Sequence, residues 1–191
     1  MDKSSIIKLP DKLLRSRSKK ISVTDGGAQD LAKNMISATL SWEDSRNHEV
    51  GVALAAVQIG ELNRLVIVRK NLNDKSDREF QVLINPKVIK LEGDVVEDFE
   101  GCLSVNNIYG KVPRHHKVKI KAMKLSGKEI RITAEGFLAR ILQHEIDHTN
   151  GLVFIDHIKN RPDNFFKLTA SGELEKLDWQ KDIKNNKKLW G

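Results

Sequence analysis

One cysteine in 191 residues rules out an intrachain disulfide. A lone Cys is most often a small buried hydrophobe, and otherwise a nucleophile or a metal ligand, so its setting must decide. No apolar run is long enough to span a bilayer, and Met1-Asp2-Lys3-Ser4-Ser5 leads into none of signal-peptide length. The sequence therefore predicts a cytoplasmic protein with no membrane partner. Aromatic residues are only 5 % of the chain and are not interleaved with the basic ones. That pattern excludes a stacking platform for single strands, and no direct sequence-specific nucleic-acid binding is expected.

What is present suits one soluble domain: apolar residues make up 39 % and charged residues 31 %. The net charge of +7 speaks to solubility, or to work near a polyanion such as the ribosome. Residues 1–24 carry a basic cluster, Lys12 to Lys20, and read as an irregular arm before the Gly26-Gly27 turn. Residues 28–42 place Leu31, Met35, Ile36 and Leu40 at helical spacing, an N-terminal amphipathic helix. Leu65 to Val68 and Phe80 to Ile84 read as strands, the second stopped by Asn85-Pro86, with a polar turn region from Asn71 to Asp77 between them. Lys87 to Glu97 and Lys117 to Lys124 alternate as strands do, and Ser126-Gly127-Lys128 turns the chain into Glu129 to Ile132. A second helix is predicted over 135–150, closing at Asn150-Gly151. The tail from Lys159 has eight Lys/Arg against five Asp/Glu and a weak helical pattern around Leu174, Leu177 and Trp179. Strands grouped between two helices imply an α+β domain.

The second helix carries Gln143-His144-Glu145-Ile146-Asp147-His148. Histidines four apart share one face of a helix, where two neutral imidazoles can grip one divalent ion. The adjacent Glu145 can then reach a water on that ion. Phe137 and Ile141 continue the same stripe, want burial, and would carry the histidines inward.

Two His ligands and a water leave one protein ligand to find. The metzincin spacing fails, because Phe154 stands where a third His is required. A downstream Glu173 or Glu175 would complete a thermolysin-like peptidase. The upstream candidate is Cys102, in Glu100-Gly101-Cys102-Leu103-Ser104. A thiolate beside two imidazoles closes one face of the ion and leaves the fourth position to water.

Three segments now stand in order: Gly51-Val-Ala-Leu-Ala-Ala-Val-Gln58, Glu100-Gly-Cys-Leu-Ser104 and Gln143-His-Glu-Ile-Asp-His148. Together they resemble the signature motifs of peptide deformylases, with weaker echoes at Leu14-Arg15, Asn85-Pro86, Val112-Pro113-Arg114 and Gly136 to Arg140. The resemblance covers about residues 8–158. It implies removal of the formyl group from the N-terminal formyl-methionine of nascent peptides. It implies Cys102, His144 and His148 as metal ligands and Glu145 as the acid/base. Gln58 and the backbone N–H of Leu103 would serve the oxyanion. The implied ion is Fe²⁺, with Zn²⁺, Ni²⁺ or Co²⁺ as substitutes.

For the substrate, Phe137 and Ile141 are positioned to line an apolar methionine pocket, and Val52 and Ala53 to flank the peptide as a strand. Glu100 is expected with them among the substrate-binding residues, and a Glu100–Arg114 pair would brace the Cys102 loop. The chain departs from the family pattern at Ala53 (a Gly position), Asn106 (Pro), Tyr109 (Arg in some members) and Thr149 (Leu). These changes bear on peptide preference rather than on the reaction.

The expected architecture is thus largely antiparallel strands surrounding a central helix with the HExxH motif. Residues 1–158 form a single catalytic domain, and 159–191 a basic, partly helical extension. The chain is expected to be monomeric, with the basic surface or tail as a contact for the ribosome or simply solvated. Two alternatives stay open: the Glu173/Glu175 peptidase, and a metal-holding, ribosome-associated binding protein without turnover.

Overall fold

The computed structural model describes residues 1–22, 26–72, 74 and 76–190. Val23 and Thr24 of the N-terminal arm, and Asn73 and Lys75 of the polar turn region, lie outside the described residues. The arm is not wholly irregular: short 3-10 turns form at Lys3–Ser5 and Lys12–Arg15, and Leu14 is fully buried.

Helix α1 (Gly27–Glu43) buries Leu31, Met35 and Trp42, with Ile36 and Leu40 half-buried at the margin of the stripe. It packs on strands β1 (Ala53–Ala55) and β2 (Leu65–Arg69) through Leu54, Leu65 and Ile67. β2 is buried along its whole length, so its apolar run does not alternate.

Strand β3 (Phe80–Cys102) does not stop at Asn85-Pro86 as predicted. Its pairing shifts register between Ile84 and Lys87, and the strand continues beyond. The shift is a bulge, the setting in which a strand tolerates a proline that lacks an N–H. Asn85 adopts φ 52° there, and its side chain bonds both backbone groups of Ile21 (3.0 and 2.9 Å), so the bulge fastens the N-terminal arm.

β3 turns at residues 102–105 into β4 (Val105–Met123), and β4 turns through Gly127 (φ 80°) into β5 (Glu129–Glu135). β5 leads directly into α2 (Gly136–Thr149), within one residue of the predicted helix at each end. Gly151 closes α2 with φ 80°, and a Cβ there would stand 2.6 Å from the Arg15 carbonyl oxygen. Only glycine meets both demands.

The remaining elements are α3 (Phe154–Ile158), β6 (Phe165–Leu168), β7 (Leu174–Lys176) and α4 (Lys187–Trp190). Leu174 therefore stands in a strand, not the expected helix; the helical pieces of the tail are a π-helical turn at Trp179–Ile183 and α4. Among the described residues, seven strands form one antiparallel sheet ordered β1-β2-β3-β4-β6-β7, with β5 also paired to β4. The mixed α+β class agrees with the sequence. α2 packs against this sheet through Ala139, Ile141, Leu142 and Ile146, opposite Val118, Ile120 and Ala134. No helix among the described residues is long and apolar enough to cross a membrane.

Candidate metal centre and active site

The periodicity of α2 sets His144 and His148 one turn apart, with ring centroids separated by 4.9 Å. Both side chains are buried. The β3–β4 turn delivers Cys102 beside them, its Sγ 3.3 Å from His148 Nε2. One ligand atom from each of the three lies within 4.8 Å of the others, and among the described residues these form the group able to hold an ion. Glu173 and Glu175 are not part of it; Glu175 pairs instead with Lys167 at 3.2 Å.

Burial by itself would raise the Cys102 thiol, but the neighbouring imidazoles of His148 and His144 bring it down to about 5. The sulfur is therefore held as the thiolate that metals bind. Burial also disfavours charge on His144, yet its hydrogen bonds to Cys102 and Glu100 outweigh that and raise the ring well above its ordinary value. Two imidazoles and a thiolate are a borderline-soft donor set suited to Fe²⁺, Zn²⁺ and their neighbours. Two buried atoms in the cluster, Glu145 Oε2 and His148 Nδ1, have no hydrogen-bond partner among the described residues. The donor set and the unpaired Glu145 Oε2 fit a resident metal; His148 faces Cys102 through Nε2, so its unpaired Nδ1 does not bear on the ion.

Glu100 is buried and both its oxygens are taken. Arg114 donates through Nε (2.9 Å) and Nη2 (3.1 Å), Arg140 through Nη1 (2.8 Å), and His144 Nδ1 lies 2.9 Å from Oε2. Burial pushes this carboxyl up, but the His144 and Arg114 hydrogen bonds prevail and hold it well below the usual carboxylate range. Arg114 also pairs with Asp147, which accepts from His157 Nε2 at 2.7 Å. Arg140 carried no role in the sequence reading. It lies one turn before His144 on α2 and reaches across to Glu100 on β3, a contact that no spacing within the helix signals.

Glu145 points inward from the same helix. Burial pushes its carboxyl up to about 7, against the opposing effect of both histidines. Gln58 is 1 % exposed, on the 3-10 turn after β1. Its Oε1 accepts from the Ala55 N–H (2.9 Å), which directs Nε2 toward Ser104 Oγ (3.2 Å) and Cys102 Sγ (3.5 Å). Ser104 is thus a second residue given no role from sequence. The Leu103 carbonyl accepts from Lys8, while Ile7 N–H donates to Gln58 O and Leu9 N–H to Ser104 O (2.9 and 3.0 Å). The N-terminal arm in this way ties the Gln58 turn to the Cys102 turn.

A cavity of about 590 Å³ opens over the cluster. Val52, Ala53, Gln58, Glu100, Cys102, Leu103, Phe137, Ile141, His144 and Glu145 all line it. Ile141 is buried as expected, but Phe137 is 54 % exposed. It occupies the first turn of α2 at the cavity rim, so the inward stripe begins at Ile141 and the histidines are carried in without Phe137. The Ala53 methyl is packed into the core with Val57 and Val66.

The family model described as polypeptide deformylase matches residues 3–164. The chain belongs to that family. Among curated deformylases it is 43 % identical to the peptide deformylase of Halothermothrix orenii over 155 residues, 80 % of this chain and 92 % of that one. It is 39 % identical to that of Thermomicrobium roseum over 160 residues, 82 % and 86 % of the two chains. Among solved deformylase structures it is similar to that of Synechococcus elongatus in complex with actinonin, with 34 % identity, a TM-score of 0.72 and coverage of 82 % and 80 %. It is also similar to that of Legionella pneumophila, with 40 % identity, a TM-score of 0.69 and coverage of 80 % and 83 %. Membership makes the chain a metal-dependent hydrolase that removes the formyl group from polypeptides, and it removes the peptidase and non-catalytic alternatives.

Proposed function

We propose that the chain deformylates the formyl-methionine of nascent peptides with Fe²⁺ as its native ion, held by Cys102, His144 and His148, with Zn²⁺, Ni²⁺ or Co²⁺ as substitutes. The observation that carries this reading is the Cys–His–His cluster at the floor of a cavity that also holds a buried Glu145. α2 is then the central helix that the strands surround. Residues 1–158 constitute the catalytic domain and 159–191 a basic extension. The protein works as a cytoplasmic monomer, and its basic surface is the face offered to the ribosome.

When bound, the ion supplies Lewis acidity toward water and the formyl oxygen. Glu145 accepts a water proton at Oε2 and passes it to the departing amine nitrogen. Water adds to the formyl carbon, the C–N bond breaks, and formate and a free α-amino group result. A carboxyl poised near 7 suits both halves of that transfer. As charge develops on the formyl oxygen, Gln58 Nε2 and the Leu103 N–H donate to it; one such donor is typically worth about 3 kcal/mol. Their carriers are held by the Ala55 and Lys8 hydrogen bonds. Glu100 orients His144 rather than meeting the peptide. Ile141 and Phe137 form the methionine pocket, and Val52 and Ala53 flank the extended backbone.

The test is hydrolysis of a formyl-Met peptide by protein purified without oxygen and loaded with Fe²⁺ or Ni²⁺. Formate release by the wild type and not by Glu145→Ala is expected. No formate from metal-replete wild type would overturn the assignment.

A further inference from the structure

The family match ends at residue 164, yet the cavity does not. Leu168, Gly172 and Leu174, all beyond that limit, line the same space as His144 and Glu145. They belong to the β6–β7 hairpin, which is anchored on β4 by the pairs Tyr109↔Phe166 and Gly110↔Phe165. Phe165 is fully buried at its base, and Phe166 packs edge-on against Phe99, another cavity residue, with centroids 5.0 Å apart.

Alternation along the hairpin gives its two faces different chemistry. Lys167 and Glu175 are partners across the strands and pair at 3.2 Å on one face. Leu168 and Leu174 are also direct cross-strand partners, one position on, and so share the other face. Both are half-buried, and both meet the cavity. At the tip, a Cβ on Gly172 would stand 3.4 Å from the His48 ring, so the turn touches the loop before β1. The hairpin thus adds an apolar wall to the space.

We propose that the β6–β7 hairpin is a specificity element for the substrate peptide, taking an apolar side chain downstream of the methionine against Leu168 and Leu174. This rests on the deformylase reading and extends it. A substrate too short to reach the hairpin is indifferent to it. A longer one gains when its downstream residues are apolar and loses when they are acidic, since a charge there has no partner on the leucine pair.

The experiment compares formyl-Met-Ala, formyl-Met-Ala-Leu-Leu and formyl-Met-Ala-Asp-Asp on the metal-loaded full chain. The wild type should favour the Leu peptide over the Asp peptide by about ten-fold in kcat/KM, carried by KM. Leu168→Ser/Leu174→Ser should bring that ratio near unity and leave formyl-Met-Ala unchanged. Leu174→Lys, a single change at a half-buried position of an otherwise exposed strand, should favour the Asp peptide. Formate from all three substrates with the same ratios in wild type and variants would overturn this inference alone. No formate from any would sink the deformylase reading and this inference with it.

Discussion

Arg114 grips Glu100 with two donors at once, Nε at 2.9 Å and Nη2 at 3.1 Å. The forked geometry leaves the carboxylate little freedom, and its Oε2 lies 2.9 Å from His144 Nδ1. His144 Nδ1–H can therefore donate to a fixed acceptor, which commits the ring to presenting Nε2 to the ion. Partners of this kind are typically worth about 10–100-fold in metal affinity. Glu100→Gln should lose that much, measured by competition with a chelator of known strength. Unchanged affinity would mean that packing alone orients His144.

The same carboxylate predicts an acid limb of stability. Its folded pKa lies below the unfolded value near 4.5, so the unfolded state binds more protons as the pH falls through that value. Stability from Glu100 is then fully present above about pH 4.5 and lost below it, as the pH drops toward the depressed folded pKa. Urea denaturation of the metal-free protein between pH 3 and 7 should show this slope, and Glu100→Gln should flatten it. A slope of equal size in the variant would assign the acid sensitivity to other groups.

Glu100 also marks the boundary between what the sequence makes legible and what only the fold decides. Its pairing with Arg114 was anticipated because both fall in short motifs, and the ligand triad followed from helical spacing plus one cysteine. Its contact with His144 Nδ1 was not, because nothing in a strand's sequence says which residue of a distant helix it faces. The bulge at Asn85-Pro86 was read as a stop for a related reason: Pro and a preceding Asn break a ladder locally whether the strand ends or merely shifts, and only the long-range pairing with β4 separates the two. The β6–β7 hairpin is not legible in the sequence because Leu174 and Leu177 fit a helical period about as well as a strand, and three residues of strand are too few to decide.

Away from the metal, Arg69 and Glu43 form a buried pair at 2.5 Å, with side chains 1 % and 3 % exposed. Glu43 Oε2 also accepts the Gly51 N–H (2.9 Å), and Arg69 donates to the Gly51 carbonyl (3.2 Å). The pair thus pins the start of the segment that leads to Gln58. Arg69→Met leaves a buried carboxylate without its counter-charge, and about 3–5 kcal/mol of stability should be lost. Equilibrium denaturation reads this directly. A loss under 1 kcal/mol would show that the pair does not hold this part of the fold.

Glu145 separates catalysis from stability. Glu145→Gln keeps the shape and the metal ligands but cannot take a proton, so kcat should fall by about 10²–10⁴-fold with metal content unchanged. The stability effect has the opposite sign. Burial lifts the folded pKa to about 7, above the unfolded value near 4.5. Ionising this group therefore costs the folded state progressively as the pH rises from 4.5 through 7. The amide removes that cost, so metal-free Glu145→Gln should melt higher than metal-free wild type at pH 8 and near it at pH 4.5. Melting curves of the two proteins at both pH values decide the point. A variant less stable at pH 8 would mean that the ionised carboxylate is paired in solution, contrary to the unpartnered Oε2 of this structure.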